Sequence, residues 1–218
     1  MKQEAKLFKI YNKLLDYFGP QHWWPADSPF EVMVGAILTQ STNWGNVEKA
    51  IANLKRVKVL TPEKIVESRE QSVERWIKPS GYFRQKARKL RAFAKFFLRE
   101  YGGRLRAMRC EGVQTLREKL LAVHGIGPET ADSILLYALN KPNFVVDAYT
   151  RRIGQRLGLF DFEDYHQIKE YFENNLPKRV RLYNEYHALL VALGKNFCRP
   201  RPLCQNCPLN GLGRCKKN

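Results

Sequence analysis

Leu120-Leu121-Ala122-Val123-His124-Gly125-Ile126-Gly127-Pro128-Glu129-Thr130-Ala131 is the stretch whose reading decides the fold. An apolar run precedes two glycines separated by one apolar residue, and proline takes the first helical position behind them. That order reads as two helices joined by a tight hairpin. Ile126 can pin the turn to the core while Gly125 and Gly127 leave backbone amides bare. Bare amides at the start of a helix, here running into Thr130, can bind a phosphate. A lone G-x-G is also common in ordinary αα-hairpins, so the turn by itself names no function.

Outward from the hairpin, almost every segment reads as helix. Phe30-Glu31-Val32-Met33-Val34-Gly35-Ala36-Ile37-Leu38 is apolar on nearly all sides, with Asp27 or Ser28 as its cap and Pro29 as its first helical residue. A shorter helix is expected over Asn46–Leu54, and Thr61-Pro62-Glu63-Lys64 opens another. Pro79-Ser80-Gly81 breaks the chain before an amphipathic helix from Tyr82 to Tyr101, which Gly102-Gly103 ends. Further helices are predicted over Gln114–Val123, Pro128–Leu139, Ala148–Leu157, Asp164–Asn174 and Val180–Gly194. No stretch alternates as a strand would, so the fold class is all-α.

Composition narrows the partners. In 218 residues there are 38 Lys plus Arg against 21 Asp plus Glu, a formal net charge of +17. The basic residues recur along most of the chain, which favours a polyanion over a merely solvated surface. With 44% hydrophobic residues the chain is globular, and no apolar run is long enough to span a membrane. The N-terminal segment mixes charge into an amphipathic helix and lacks a signal-peptide core, which points to the cytoplasm.

One helix length beyond the hairpin comes Val145-Val146-Asp147-Ala148-Tyr149-Thr150-Arg151-Arg152. An aspartate ahead of a helix is ordinarily an N-cap, and a capping carboxylate is also fixed in place and kept ionised. With G-(V/I)-G-x-x-(T/S)-A followed by V-D-x-x-x-x-R, the chain resembles the endonuclease III family of helix-hairpin-helix DNA glycosylases. Leu38-Thr39-Gln40-Ser41-Thr42 resembles that family's L-(S/T)-x-Q-(A/T)-T segment, and the likeness runs from about Phe30 onward. The resemblance implies two helical domains with a DNA cleft between them, 27–139 and 1–26 with 140–218. It implies base excision from double-stranded DNA carrying a damaged or mismatched base, by a protein expected as a monomer. Asp147 would stabilise positive charge on the deoxyribose or orient a water. Gln40 would fill the gap left by the extruded nucleotide.

Two departures sharpen the expectation. Bifunctional members carry a lysine at the second residue after G-x-G, and here that residue is Glu129, which cannot form an imine. A monofunctional glycosylase is expected, with Glu129 either catalytic or simply favourable at a helix start. The segment His22-Trp23-Trp24-Pro25-Ala26, with Trp44 beyond Gln40, resembles the bacterial 3-methyladenine glycosylases. A pocket of Trp23, Trp24, Pro25 and Trp44 would then hold a cationic alkylated purine by cation–π attraction. Mismatch-directed members, acting on uracil, thymine, hypoxanthine or adenine, also lack the lysine and stay open as an alternative.

Four of the five cysteines, Cys198, Cys204, Cys207 and Cys215, lie close together, and Cys110 stands alone as an unpaired thiol. Four thiolates in one loop suit a [4Fe–4S] cluster or zinc. The family's cluster pattern is C-x6-C-x2-C-x5-C, and this chain has one residue fewer in the first gap and two more in the last. A cluster as structural staple is the expectation, with zinc as the alternative. Arg199 and Arg201, between the first two ligands, would face phosphates. A silent DNA-binding module and an iron–sulfur redox protein remain competing classes. The first leaves Asp147 without a purpose, and the second leaves the charge of +17 unexplained.

Overall fold

The computed structural model describes residues 2–212 and 215, and among these every regular element is helical. In chain order they are α1 (Lys2–Phe18), α2 (Pro29–Leu38), α3 (Trp44–Arg56), α4 (Pro62–Glu67), α5 (Glu70–Ile77) and α6 (Phe83–Tyr101). There follow α7 (Leu105–Cys110), α8 (Val113–Leu121), α9 (Pro128–Ser133), α10 (Ala148–Arg156), α11 (Tyr165–Asn175) and α12 (Val180–Asn196). No helix among the described residues is long and apolar enough to cross a membrane.

Local chemistry sets many of the boundaries. Ser28, Asn43, Thr61, Asp147 and Asp164 each accept a backbone N–H from the first turn of the helix they precede. Such a cap satisfies one of the four donors that a helix start leaves unpaired. Asn43 therefore begins α3 two residues earlier than expected and puts Trp44 at its first position. At the other end of α6, Gly102 takes φ +58° and donates back to Leu98 O.

Contacts divide the chain into two compact units, one running Trp24–Lys141 and one joining the chain up to Trp23 with the chain from Pro142. In the first, α2 is buried from Glu31 to Leu38 and packs on α3 and α6. Phe30, Phe93 and Phe97 stack in its core, and each such side chain removed from water contributes about 1.5–3 kcal/mol. In the second, α12 packs on α1 and α10, and Phe144 stacks on Phe172 of α11 with ring centres 4.3 Å apart. The Tyr186 hydroxyl ties α12 to α1 by donating to Leu7 O at 3.0 Å. Gly194 lets α12 lie against α10, because a Cβ there would come within 2.2 Å of the Tyr149 ring.

The helix expected to run unbroken from Pro128 to Leu139 does not. It ends at Ser133 and widens into a π turn over Ile134–Ala138, closed by Leu139 N donating to Ile134 O. All five residues of that turn are buried against α2. The short helices α5 and α7 were not anticipated.

Candidate functional site

The hairpin is held from three sides within the Trp24–Lys141 unit. Gly125 takes φ +79° and Ile126 is buried, so the turn is pinned to the core as its sequence implied. Across the turn, Arg117 on α8 grips buried Asp132 on α9 through two bonds of 2.6 and 3.2 Å. Gln40, just past α2, donates its amide to Gly125 O at 3.1 Å and to Thr130 Oγ1 at 3.0 Å. Lys89 on α6 completes the set by donating to Gln40 Oε1 at 2.6 Å. Its stem lies over Gly125, where a Cβ would approach Lys89 Cγ to 2.3 Å.

This arrangement changes what two of the expected DNA-binding side chains do. Thr130 is buried with its hydroxyl taken by Gln40, so its side chain supports the hairpin and does not face outward. Gln40 has both amide groups engaged on the hairpin and Lys89, and filling a gap in a duplex would require it to release them. Gly127 is exposed and caps α9, and Glu129 is exposed in that helix's first turn.

Lys86, one helical turn before Lys89, escaped the sequence reading. It is 2% exposed and donates to Leu38 O and Ser80 O, joining the end of α2 to the turn before α6. Burial, with Lys89 adding to it, pushes its pKa down to about 8.

Each unit has aromatic contacts of its own. In the Trp24–Lys141 unit, Trp24 meets both Trp44 and Tyr137 edge-on with ring centres 5.3 Å apart. Tyr137 belongs to the π turn, and periodicity gave no signal for its placement. Pro25 and Trp44 border a concavity of about 250 Å³ together with Glu31, Glu48, Ile51 and Lys55. In the other unit, Trp23 meets His187 at 5.9 Å with Lys195 over its ring. The two adjacent tryptophans thus belong to different units.

Asp147 caps α10 by accepting from Thr150 N at 2.7 Å through Oδ1. Its Oδ2 lies 3.6 Å from His187 Nε2, and its side chain is 12% exposed. Burial pushes the carboxyl up, but His187 and Thr150 together outweigh it and leave its pKa lowered. The group is a fixed, ionised carboxylate, suited to stabilising a developing cation or holding a water. His187 was missed as its partner, although it is the one histidine in the run Tyr186-His187-Ala188-Leu189-Leu190.

The cysteine loop is tied to α10. Arg152 donates to Cys198 O, and Arg156 donates to Arg199 O, Pro200 O and Cys198 Sγ. Burial raises the Cys207 thiol, and the nearby Cys198 and Cys204 raise it further. Cys215 is raised by burial and then by the other three, so the four sulfurs lie within electrostatic reach of one another. Among the described residues no three or more His, Cys, Asp or Glu side chains gather closely enough to hold a metal ion. An all-sulfur donor set nevertheless fits the thiolate ligation that iron–sulfur clusters require. Arg199 and Arg201 are exposed on this loop, and Arg199 also donates to Lys195 O. Cys110 is exposed and unpaired at the end of α7.

The profile of the HhH-GPD superfamily base excision DNA repair protein matches residues 34–178. A candidate DNA repair glycosylase of Methanocaldococcus jannaschii is 49% identical over 205 residues, covering 93% of each chain. Endonuclease III of Thermotoga maritima is 31% identical over 180 residues, covering 82% of this chain and 79% of its own. The solved structure of H. pylori 3-methyladenine DNA glycosylase (MagIII) bound to 1,N6-ethenoadenine superposes with a TM-score of 0.77 at 30% identity. It covers 87% of this chain and 97% of its own.

Proposed function

Because the chain belongs to the HhH-GPD superfamily of base excision DNA repair proteins, we propose that it is a monofunctional DNA glycosylase removing an alkylated purine, 3-methyladenine or a close relative. The observation that carries this reading is an ionised Asp147, capping its helix through Thr150 and facing His187. Cleavage of an N-glycosidic bond builds positive charge on the deoxyribose, and a carboxylate fixed nearby lowers that barrier or orients the attacking water. Glu129 stands where an imine-forming lysine would be needed, so the abasic product stays unnicked.

The alkylated base is suggested by charge. A 3-alkyladenine nucleoside is cationic, and the rings of Trp24 and Trp44 offer it cation–π attraction worth about 0.5–2 kcal/mol each. Its positive charge also makes the base a good leaving group, so little general-acid help is needed. The likeness to the H. pylori 3-methyladenine enzyme supports the same substrate class. The hairpin amides, Arg199 and Arg201 would hold phosphates, with the net charge of +17 attracting the duplex. Cys198, Cys204, Cys207 and Cys215 would hold a [4Fe–4S] cluster as a staple for that basic loop.

The test uses labelled duplexes carrying 3-methyladenine, hypoxanthine, uracil, or thymine opposite guanine, each sample split with and without hot alkali. Breaks only after alkali, in the 3-methyladenine duplex and absent from Asp147→Asn, are expected. Breaks without alkali would overturn the monofunctional reading, and response of another duplex alone would overturn the substrate. Iron and acid-labile sulfide in equal amounts in the purified protein would support the cluster, and zinc in their place would refute it.

A further inference from the structure

Trp44 is not simply an aromatic wall. Its indole N–H donates to Glu48 Oε1 at 2.7 Å, one turn along α3. Both residues border the same concavity of about 250 Å³. The other acid on that rim, Glu31, is bound to Lys55 at 2.6 Å, and Lys55 also holds Asp27 at 2.8 Å. The rim's one lysine therefore serves two other carboxylates, and the negative charge of Glu48 is directed at the indole. A carboxylate accepting from an indole N–H pushes electron density into the ring and deepens the negative potential over its faces. Trp24, edge-on at 81°, and the Glu48 bond together fix the plane of that ring.

We infer that Glu48 is a specificity-determining residue that acts through Trp44, making its ring select cationic over neutral bases. The inference rests on the alkylpurine reading above and assigns part of that selectivity to one residue. Cation–π attraction is electrostatic and scales with the ring's negative potential, whereas dispersion and stacking with a neutral base respond little to it. Glu48 itself need not touch the base. It is a positioning and polarising residue, placed by the i,i+4 geometry that makes the two side chains neighbours.

The test compares two readouts in wild type, Glu48→Gln, Glu48→Ala and Trp44→Phe. One is the single-turnover rate of 3-methyladenine release from methylated DNA. The other is affinity for a duplex carrying 3-deaza-3-methyladenine, which has nearly the same shape, no charge and a stable bond. Glutamine keeps an acceptor for the indole N–H and removes the charge, so ring geometry is preserved. The ratio of the first readout to the second is expected to fall about three- to tenfold in Glu48→Gln. It should fall no further in Glu48→Ala, and Glu48→Gln should change nothing more once Trp44 is Phe, which has no N–H to donate. An unchanged ratio in Glu48→Gln, or an equal drop in the Trp44→Phe background, overturns the inference while the substrate reading stands. Wild-type protein that releases no 3-methyladenine overturns both, and that failure is seen before any variant is made.

Discussion

His187 Nε2 on α12 lies 3.6 Å from Asp147 Oδ2 at the start of α10, so the carboxylate proposed for catalysis faces an imidazole. Burial would raise the Asp147 pKa, and His187 and Thr150 reverse that effect. Replacing His187 by Phe removes one opposing influence, so the carboxylate titrates at higher pH. The acid limb of single-turnover excision should move upward in pH in His187→Phe, while excision at neutral pH persists. An acid limb that stays in place would show that the imidazole does not tune the carboxylate.

The same lowered pKa fixes a stability dependence. A carboxyl whose folded pKa is depressed stabilises fully above its unfolded value, near 3.9, and loses that contribution as pH falls through the folded pKa. Asp147→Asn can still accept from Thr150 N as a cap but loses the charge that His187 favours, so at neutral pH it should cost less than losing the whole side chain yet abolish excision. Asp147→Ala also loses the cap and should cost about 0.5–2 kcal/mol in urea unfolding at neutral pH. That gap should narrow progressively on acidification below the ordinary aspartate range.

Gly125 has two reasons to be glycine, its φ of +79° and the Lys89 stem where a Cβ would go. Gly125→Ala should displace Lys89 and with it the Gln40 bridge to the hairpin. Affinity for undamaged and damaged duplexes should fall together, since phosphate contacts carry no sequence information. Gln40→Ala should do the same, and the double variant should add little, because the residues act as one unit. Anisotropy at fixed salt decides it; a loss confined to the lesion duplex for Gln40→Ala would restore a gap-filling role.

Those parts of the fold set by local chemistry were legible in the sequence. Ser28-Pro29, Thr61-Pro62, Gly102 and the glycine hairpin each act within one helical turn, and Asp147 announces itself as a cap. The π turn at Ile134–Ala138 was hidden, because in a run buried on all sides an extra residue per turn leaves no trace in the pattern. Tyr137 was hidden with it. His187 facing Asp147, and Lys86 joining two loop ends, are pairings between residues distant in sequence or between a side chain and backbone carbonyls. No periodicity encodes either. Trp23 meets His187 and Trp24 meets Trp44 and Tyr137, partners remote in sequence that a segment free of helix between α1 and α2 does not announce.

Arg117 and Asp132 hold the two hairpin helices together as a buried, two-bond ion pair, with side chains 11% and 0% exposed. Removing one member of a buried ion pair takes the bonded opposite charge from the other, which typically costs about 3–5 kcal/mol. Arg117→Met alone and Asp132→Leu alone should each destabilise on that scale. The double variant should recover much of the loss, because two apolar groups need no partner. Chemical denaturation of the four proteins measures the coupling, and additive losses would refute it.

Lys86 offers the remaining prediction, and its sign is opposite to that of Asp147. Its ammonium is buried, bonded to Leu38 O and Ser80 O, and titrates at about 8 in the folded protein. In the unfolded chain a lysine holds its proton to about 10.4. Between those values the unfolded state binds more protons than the native one, so this group makes stability rise with pH. Below about 8 it is charged in both states and gives no slope. Lys86→Met should lose the rise and also cost about 1–3 kcal/mol for leaving two buried carbonyls without a donor. Urea midpoints for both proteins from neutral pH to about pH 10 measure the difference. Wild type should gain on the variant as pH climbs past 8, and parallel curves would mean that Lys86 titrates as an ordinary lysine.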